Sequence, residues 1–217
     1  MKAIPILRLC VIALGISAAS FGSSFFGTVV PIGGHASDIA LDEPRGVLYI
    51  ANYTANRIEV MNTSDRSIGT SFNVPFPGSL SLSRDGKYLL VATYANFQGA
   101  AGPATNILTI LALESNTRRT VALGNPPLAV AFGADGLALV LTTKEFLLVD
   151  PATASVITLD SIAAVAAKVL PVPAPNFPPQ ILTASMGVSG DGQIIYGITD
   201  TLQFAYSVRD QAVFSGS

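Results

Sequence analysis

One segment returns four times along this 217-residue chain: a short apolar strand, a tight turn, and a second apolar strand. The copies are SDIALDEPRGVLYIAN (Ser37 to Asn52), GSLSLSRDGKYLLVAT (Gly78 to Thr93), LAVAFGADGLALVLTT (Leu128 to Thr143) and MGVSGDGQIIYGITD (Met186 to Asp200). In the second copy Leu80 and Leu82 alternate with Ser79, Ser81 and Ser83, which is the period-two spacing of a half-buried strand. Asp85-Gly86 then reverses the chain, because Asp and Gly both tolerate positive φ at low cost. Tyr88 to Thr93 follows as a near-continuous apolar run, as in a strand covered on both faces. The third and fourth copies turn at Asp135-Gly136 and Asp191-Gly192, whereas the first uses the longer Pro44-Arg45-Gly46. A hairpin of this size cannot bury its own apolar faces, so its copies must stack on one another.

Each unit continues past the hairpin. A third strand is predicted at Ile58 to Met61, Ile107 to Leu113, Phe146 to Val149 and Phe204 to Val208, and a fourth at Ser71 to Val74, Arg119 to Leu123 and Val156 to Leu159. Four antiparallel strands per unit make an all-β chain and the blade of a β-propeller. The predicted organisation is blade 1 over 37–76, blade 2 over 78–124, blade 3 over 128–160, an insertion over 161–180, and an incomplete blade 4 over 183–217. Thr28 to Ile32 reads as a latch-like outer strand placed before the first inner strand. The count leaves two readings open. Either the latch closes a small four-bladed ring, or these blades are part of a longer protein.

The order of inner strand, S-x-D-G turn, L-Y-V/I-A-N strand and V-x-V-x-D-x-x-T resembles the YVTN-type β-propeller repeat of bacterial and archaeal surface and secreted proteins. Leu48-Tyr49-Ile50-Ala51-Asn52 is the closest match, and Asp150-Pro151-Ala152-Thr153 matches the turn after the third strand. The resemblance covers about Thr28 to Val208, and only one blade keeps the Tyr-x-Ala-Asn strand. It implies the propeller fold and an exported protein. It implies no single activity, because that family mixes enzymes, cofactor-binding proteins and adhesion-like modules.

Residues 1–20 have the layout of a signal peptide, with the rest of the chain, 21–217, forming the propeller. Lys2 and Arg8 lie near the start, Leu9 to Ala19 is apolar, and Ser17, Ala18, Ala19 and Ser20 are small. The alternative is an uncleaved N-terminal anchor. Cleavage near Ala19 or Ser20 removes the one cysteine, Cys10, and shifts the formal charge from −2 to −4. An exported chain without disulfides depends on core packing alone, and a mildly acidic one is a poor nucleic-acid binder. No membrane span is expected after cleavage.

Residues that carry chemistry are few. The single histidine, His35, precedes the first inner strand and has no second histidine with which to build a metal centre. Asp42, Asp85, Asp135 and Asp191 recur at similar points, but three of them precede Gly and serve the reversal itself. Gly187-Val188-Ser189-Gly190-Asp191 misses the serine-hydrolase elbow, with Asp191 where the last glycine belongs, and its glycines lead into a strand and not a helix. Asn52-Tyr53-Thr54 and Asn62-Thr63-Ser64 match the N-glycosylation pattern. Tyr49, Tyr88 and Tyr196 recur at one blade position, with Leu139 in the third, and read as packing residues between sheets. Two insertions, NFQGAAGPAT at Asn96 to Thr105 and SIAAVAAKVL followed by PVPAPNFPP at Ser161 to Pro179, are the best binding candidates, the first part of the latter as a short helix.

These features assign no catalytic residue, no metal ligand, no cofactor and no cofactor-binding residue. The expected function is an exported non-enzymatic scaffold that binds a protein, a surface or a small molecule. The alternatives are a lactonase-like or cofactor-dependent propeller enzyme, and the N-terminal fragment of a larger surface protein.

Overall fold

The computed structural model describes residues 27–94, 106–168 and 180–216. The segment 1–20 that reads as a signal peptide, the Asn96–Thr105 insertion and most of the second insertion lie outside them. Residues 31–217 form one compact unit.

Sixteen strands build four four-stranded antiparallel sheets. Blade 1 comprises β1 (Ala36–Asp42), β2 (Val47–Asn52), β3 (Arg57–Asn62) and β4 (Ile68–Asn73), and blade 2 comprises β5 (Pro77–Leu82), β6 (Tyr88–Tyr94), β7 (Asn106–Ala112) and β8 (Thr117–Ala122). Blade 3 comprises β9 (Pro127–Phe132), β10 (Ala138–Thr142), β11 (Glu145–Asp150) and β12 (Ser155–Ser161). After a short helix, α1 (Ile162–Ala167), blade 4 comprises β13 (Ala184–Val188), β14 (Ile194–Thr199), β15 (Gln203–Ser207) and β16 (Ala212–Gly216). Within each sheet the strands lie in chain order, so each blade is a simple meander.

Alternation along each strand sends one set of side chains toward the next blade and the other toward the previous one. Tyr49, Ala51 and Ile58 from the front of blade 1 share a core with Leu80, Leu89, Val91 and Leu111 from the back of blade 2. Leu90, Ala92, Leu108 and Ile110 meet Val130, Phe132, Val140 and Leu147 in the same way. In the third interface Leu139, Leu141, Phe146 and Leu148 meet Ile195, Phe204, Tyr206 and Val213, with Phe146 edge-on to Phe204 at 4.8 Å between ring centres. The second strands of blades 2 and 3 read as continuous apolar runs because both of their faces are covered. Full burial of each large side chain contributes about 1.5–3 kcal/mol, so the stability of the arc resides in these three seams.

Two expectations are corrected. Blade 4 is complete: β16 pairs with β15 from Gln203 opposite Gly216 to Ser207 opposite Ala212. The strand escapes sequence reading because Val213 and Phe214 are its only large apolar residues. Thr28 to Ile32 forms no strand. Every sheet already has its own fourth strand, so no outer position is vacant for a latch, and Pro31 has no N–H to donate to a ladder. Ile32 is held by its carbonyl, which accepts from Asn52 Nδ2 at 3.0 Å. The ring is not closed, which sets aside the four-bladed ring.

Candidate interaction surface

The recurring hairpins line up along one rim, and their S-x-D-G residues form a self-contained hydrogen-bonded turn. Ser83 Oγ accepts from the Tyr88 N–H at 2.9 Å and donates to Asp85 Oδ1 at 2.7 Å, and that oxygen also accepts from the Lys87 N–H. Ser189, Asp191, Gln193 and Ile194 repeat the arrangement. In blade 3 Gly133 replaces the serine, since a Cβ there would lie 2.8 Å from Val208 Cγ2. Asp135 still accepts from the Leu137 N–H. In blade 1 the buried Asp42 takes over, accepting from the Arg45 N–H and from Arg45 Nη1 at 2.7 Å.

Hydrogen bonds from the neighbouring serines hold the Asp85 and Asp191 carboxyls below the ordinary carboxylate range. Thr153 Oγ1 does the same for Asp150 in the turn after β11. Each of these carboxylates is engaged by its own turn. Among the described residues no three His, Cys, Asp or Glu side chains group as metal ligands do.

Arginines tie this rim together through turn carbonyls. Arg45 Nη1 donates to Gly86 O at 2.7 Å and Arg84 Nη2 to Gly190 O at 3.3 Å, while the Ala134 N–H donates to Gly192 O. Gly86 and Gly192 are therefore required twice. Each has positive φ, and a Cβ on either would lie 2.8 Å from an arginine Nη1. Farther out, Arg119 Nη2 donates to Pro151 O and Ala152 O of the next blade. The sheets share no backbone ladder with one another, and guanidinium groups supply several of the bonds that join them, Arg84 reaching from the blade 2 turn to that of blade 4.

The four inner strands converge on a cavity of about 400 Å³ lined by Ser37, Asp38, Ser79, Ser81, Ala129 and Met186, among others. Small polar side chains again stand in for a ladder. Asp38 Oδ2 accepts from the Leu80 N–H at 2.9 Å and from Ser79 Oγ, Ser37 Oγ donates to Pro77 O, and Ser81 Oγ accepts from the Phe132 N–H. This lining offers hydroxyls and one fully engaged carboxylate, a surface suited to holding polar groups.

The remaining candidates separate clearly. His35 is exposed just before β1, and its backbone bonds to Thr54 and Tyr53. The acceptor-like Asn52 is buried, its amide donating to Ile32 O and Glu59 Oε1, whereas Asn62 is exposed. The helical start of the second insertion is structural. Ser161 caps α1 by accepting from the Ala164 N–H, Ile162 and Val165 enter the core between blades 3 and 4, and Ser215 Oγ donates to Val165 O. Of the recurring aromatic positions, Tyr49 and Leu139 are buried in seams and Tyr88 packs against one. Tyr196 departs from the pattern. It is 56% exposed, on the front face of blade 4, with Ile198 and Phe214 beside it. A shallow cleft of about 620 Å³ lies there, between β13, β14 and β15. Sequence reasoning missed this cleft, because the same apolar pattern is buried in every other blade.

No protein-family model matches the chain, and comparison with curated proteins finds no match. Solved structures do resemble it. The β-propeller domain of Cps50 (Swd1) from Myceliophteria thermophila superposes with a TM-score of 0.62 at 13% identity, covering 88% of this chain and 57% of that one. Hydrazine synthase from Kuenenia stuttgartiensis gives 0.60 at 13% identity, over 88% of this chain and 52% of the other. The extracellular domain of BT4673 from B. thetaiotaomicron gives 0.58 at 15%, over 83% of this chain and 22% of the other. The chain thus spans about half the length of the first two and about a fifth of the third. At these identities the likeness establishes a fold, and the fold is the β-propeller.

Proposed function

We propose that the chain is an exported, non-enzymatic propeller scaffold of the YVTN-like kind, which binds a protein, a cell surface or a small ligand on its turn rim and inner cavity. The observation that carries this reading is how the polar groups are used. The rim aspartates are engaged by their own turns, the inner-strand hydroxyls bridge neighbouring blades, and the one histidine stands apart from both. Such a surface is polar, and its serines and carboxylates are engaged in their own turns and in bridges between blades, which suits recognition better than bond-breaking. The N-terminal charge and apolar pattern supports export.

Export is tested by fractionating cells that produce the protein and sequencing the N-terminus of the recovered chain. A new terminus near Ala19 or Ser20 in the exported fraction is expected, and an intact Met1 in the cytoplasm overturns it. The non-enzymatic role is tested by incubating the recovered protein with a panel of lactones and esters. Turnover abolished by His35→Ala or Asp38→Asn would overturn it.

A further inference from the structure

Each inner strand turns an unpaired edge toward the cavity, and side chains of the preceding blade accept from its N–H groups. The Leu80 N–H of blade 2 is taken by Asp38, and the Val130 and Phe132 N–H groups of blade 3 are taken by Ser79 and Ser81, at 2.9, 3.4 and 3.3 Å. Blade 4 departs from this pattern. The Ser189 N–H donates to Ile194 O, so by the alternation of an antiparallel pair Gly187 and Ser185 also bond to β14. The N–H and C=O groups of Met186 and Val188 then point away from β14, toward the cavity. Met186 and Val188 precede Ser189 as Val130 and Phe132 precede Gly133. Blade 3, however, has Ala129 and Ala131 before Gly133, where blade 2 has Ser79 and Ser81 before Ser83. Neither alanine carries a side-chain acceptor. Among the described residues no group outside the β13–β14 pair accepts from the Met186 or Val188 N–H.

We propose that the inner edge of β13 receives an extended, uncharged peptide segment as an added strand inside the cavity. The proposal rests on the scaffold reading above and names the class of partner. Met186 and Val188 together present two N–H and two C=O groups, spaced about 7 Å apart as alternate residues of a strand are. A peptide backbone supplies acceptors and donors at that spacing. A small carboxylate would reach one N–H and leave both carbonyls without a donor. Ala129 and Ala131 leave open the positions that serine hydroxyls fill one interface earlier, and Val188 is 41% exposed in a cavity of about 400 Å³. The one charged side chain in the lining is Asp38. Its oxygens already accept from the Ile39 and Leu80 N–H groups and from Ser79 Oγ, so no free charge awaits a charged side chain.

The test is amide hydrogen exchange read by NMR on the purified full chain, with and without an excess of a blocked pentapeptide of alternating valine and threonine. Without peptide, the Met186 and Val188 amides should exchange faster than those of Leu80, Val130 and Phe132. With peptide, both should slow about tenfold or more. Met186 and Val188 amides already protected in the free protein overturn the proposal, because their bonds are then filled, and so does a peptide that slows neither. The fully N-methylated pentapeptide, which has no backbone donor, should have no effect, and equal slowing by it overturns strand pairing. Ala129→Ser/Ala131→Ser gives blade 4 the hydroxyls that Ser79 and Ser81 give blade 3, and should weaken peptide binding about tenfold. Unchanged affinity overturns the site. Should that variant fail to fold, the exchange comparison on the unaltered protein decides alone. A chain that ignores the peptide but binds another partner on its turn rim overturns this inference and leaves the scaffold reading intact. Turnover of lactones or esters, by contrast, overturns the scaffold reading and leaves the exchange result unchanged.

Discussion

Phe146 and Gln203 occupy the same place in consecutive blades, each the first front-facing residue of its third strand, yet one lies in a sealed core and the other beside an exposed cleft. The blade 3 seam and the blade 4 face share their strand order, turn chemistry and spacing of apolar residues. They differ in whether another sheet lies against them. A blade's apolar pattern is therefore a statement about its neighbours, and in a repeat architecture stability is held in interfaces more than in units.

The comparison is broken most severely from inside the seam. Phe146→Ala removes a fully buried ring and its edge contact with Phe204, and is expected to cost about 3–5 kcal/mol in urea unfolding. Ile198→Ala on the open face is expected to change stability by no more than about 0.5 kcal/mol. Equal losses at the two sites would show that the blade 4 face is covered.

A middle-sized effect is expected at the rim joining blades 2, 3 and 4. Gly192→Ala places a Cβ on a residue with φ of 75° and 3.2 Å from Ala134 Cβ, and should cost about 1–2 kcal/mol. Gly187→Ala, at a glycine with open space around it on the exposed face, should cost less. Denaturant midpoints of the two variants give the contrast directly.

Tyr206 sharpens the comparison in the opposite direction. Its hydroxyl is buried in the seam without a partner, and burial pushes its pKa up to about 12. The unfolded chain ionises this tyrosine near 10, so its contribution to stability is complete below that pH and is lost as pH rises toward 12. Tyr206→Phe should flatten the alkaline fall in stability and raise stability at neutral pH by up to about 1 kcal/mol, as a buried unpaired hydroxyl is removed. A destabilised Tyr206→Phe protein would mean that the hydroxyl has a partner.

The smallest effect belongs to the exposed turns. Asp85 and Asp191 are held below the ordinary range, so their contribution is present above the unfolded carboxylate pKa and is lost as pH falls through the folded values. Asp85→Asn should weaken the acid dependence of the unfolding midpoint slightly. An unchanged acid limb would show that the Ser83 bond does not select the ionised carboxylate.

Much of this arrangement was legible in the residues. Ser83, Asp85 and Gly86 specify their turn by local hydrogen bonding and backbone freedom, and Leu80 and Leu82 announce their strand by alternation. The aspartates read as turn residues, and the structure engages them as such. The unread parts depended on distant partners. The strand at Ala212–Gly216 is too weakly apolar to declare itself and is defined by pairing with Gln203 to Ser207. Ser161 to Ala167 reads as a short helix in a candidate binding insertion until Ile162 and Val165 are seen in the core. Asn52 looks like a glycan acceptor until its amide is found buried.

By itself the sequence determined the unit: the strands, the turns that join them, and the apolar faces that make stacking compulsory, all set by interactions within a few residues or by strand period. Only the tertiary structure decided which faces found a neighbour. Tyr49 and Tyr196 carry the same side chain at the same blade position, and one is 4% exposed while the other is 56% exposed. Burial belongs to the pair of surfaces that meet, and a residue's own chemistry states only that a partner is required.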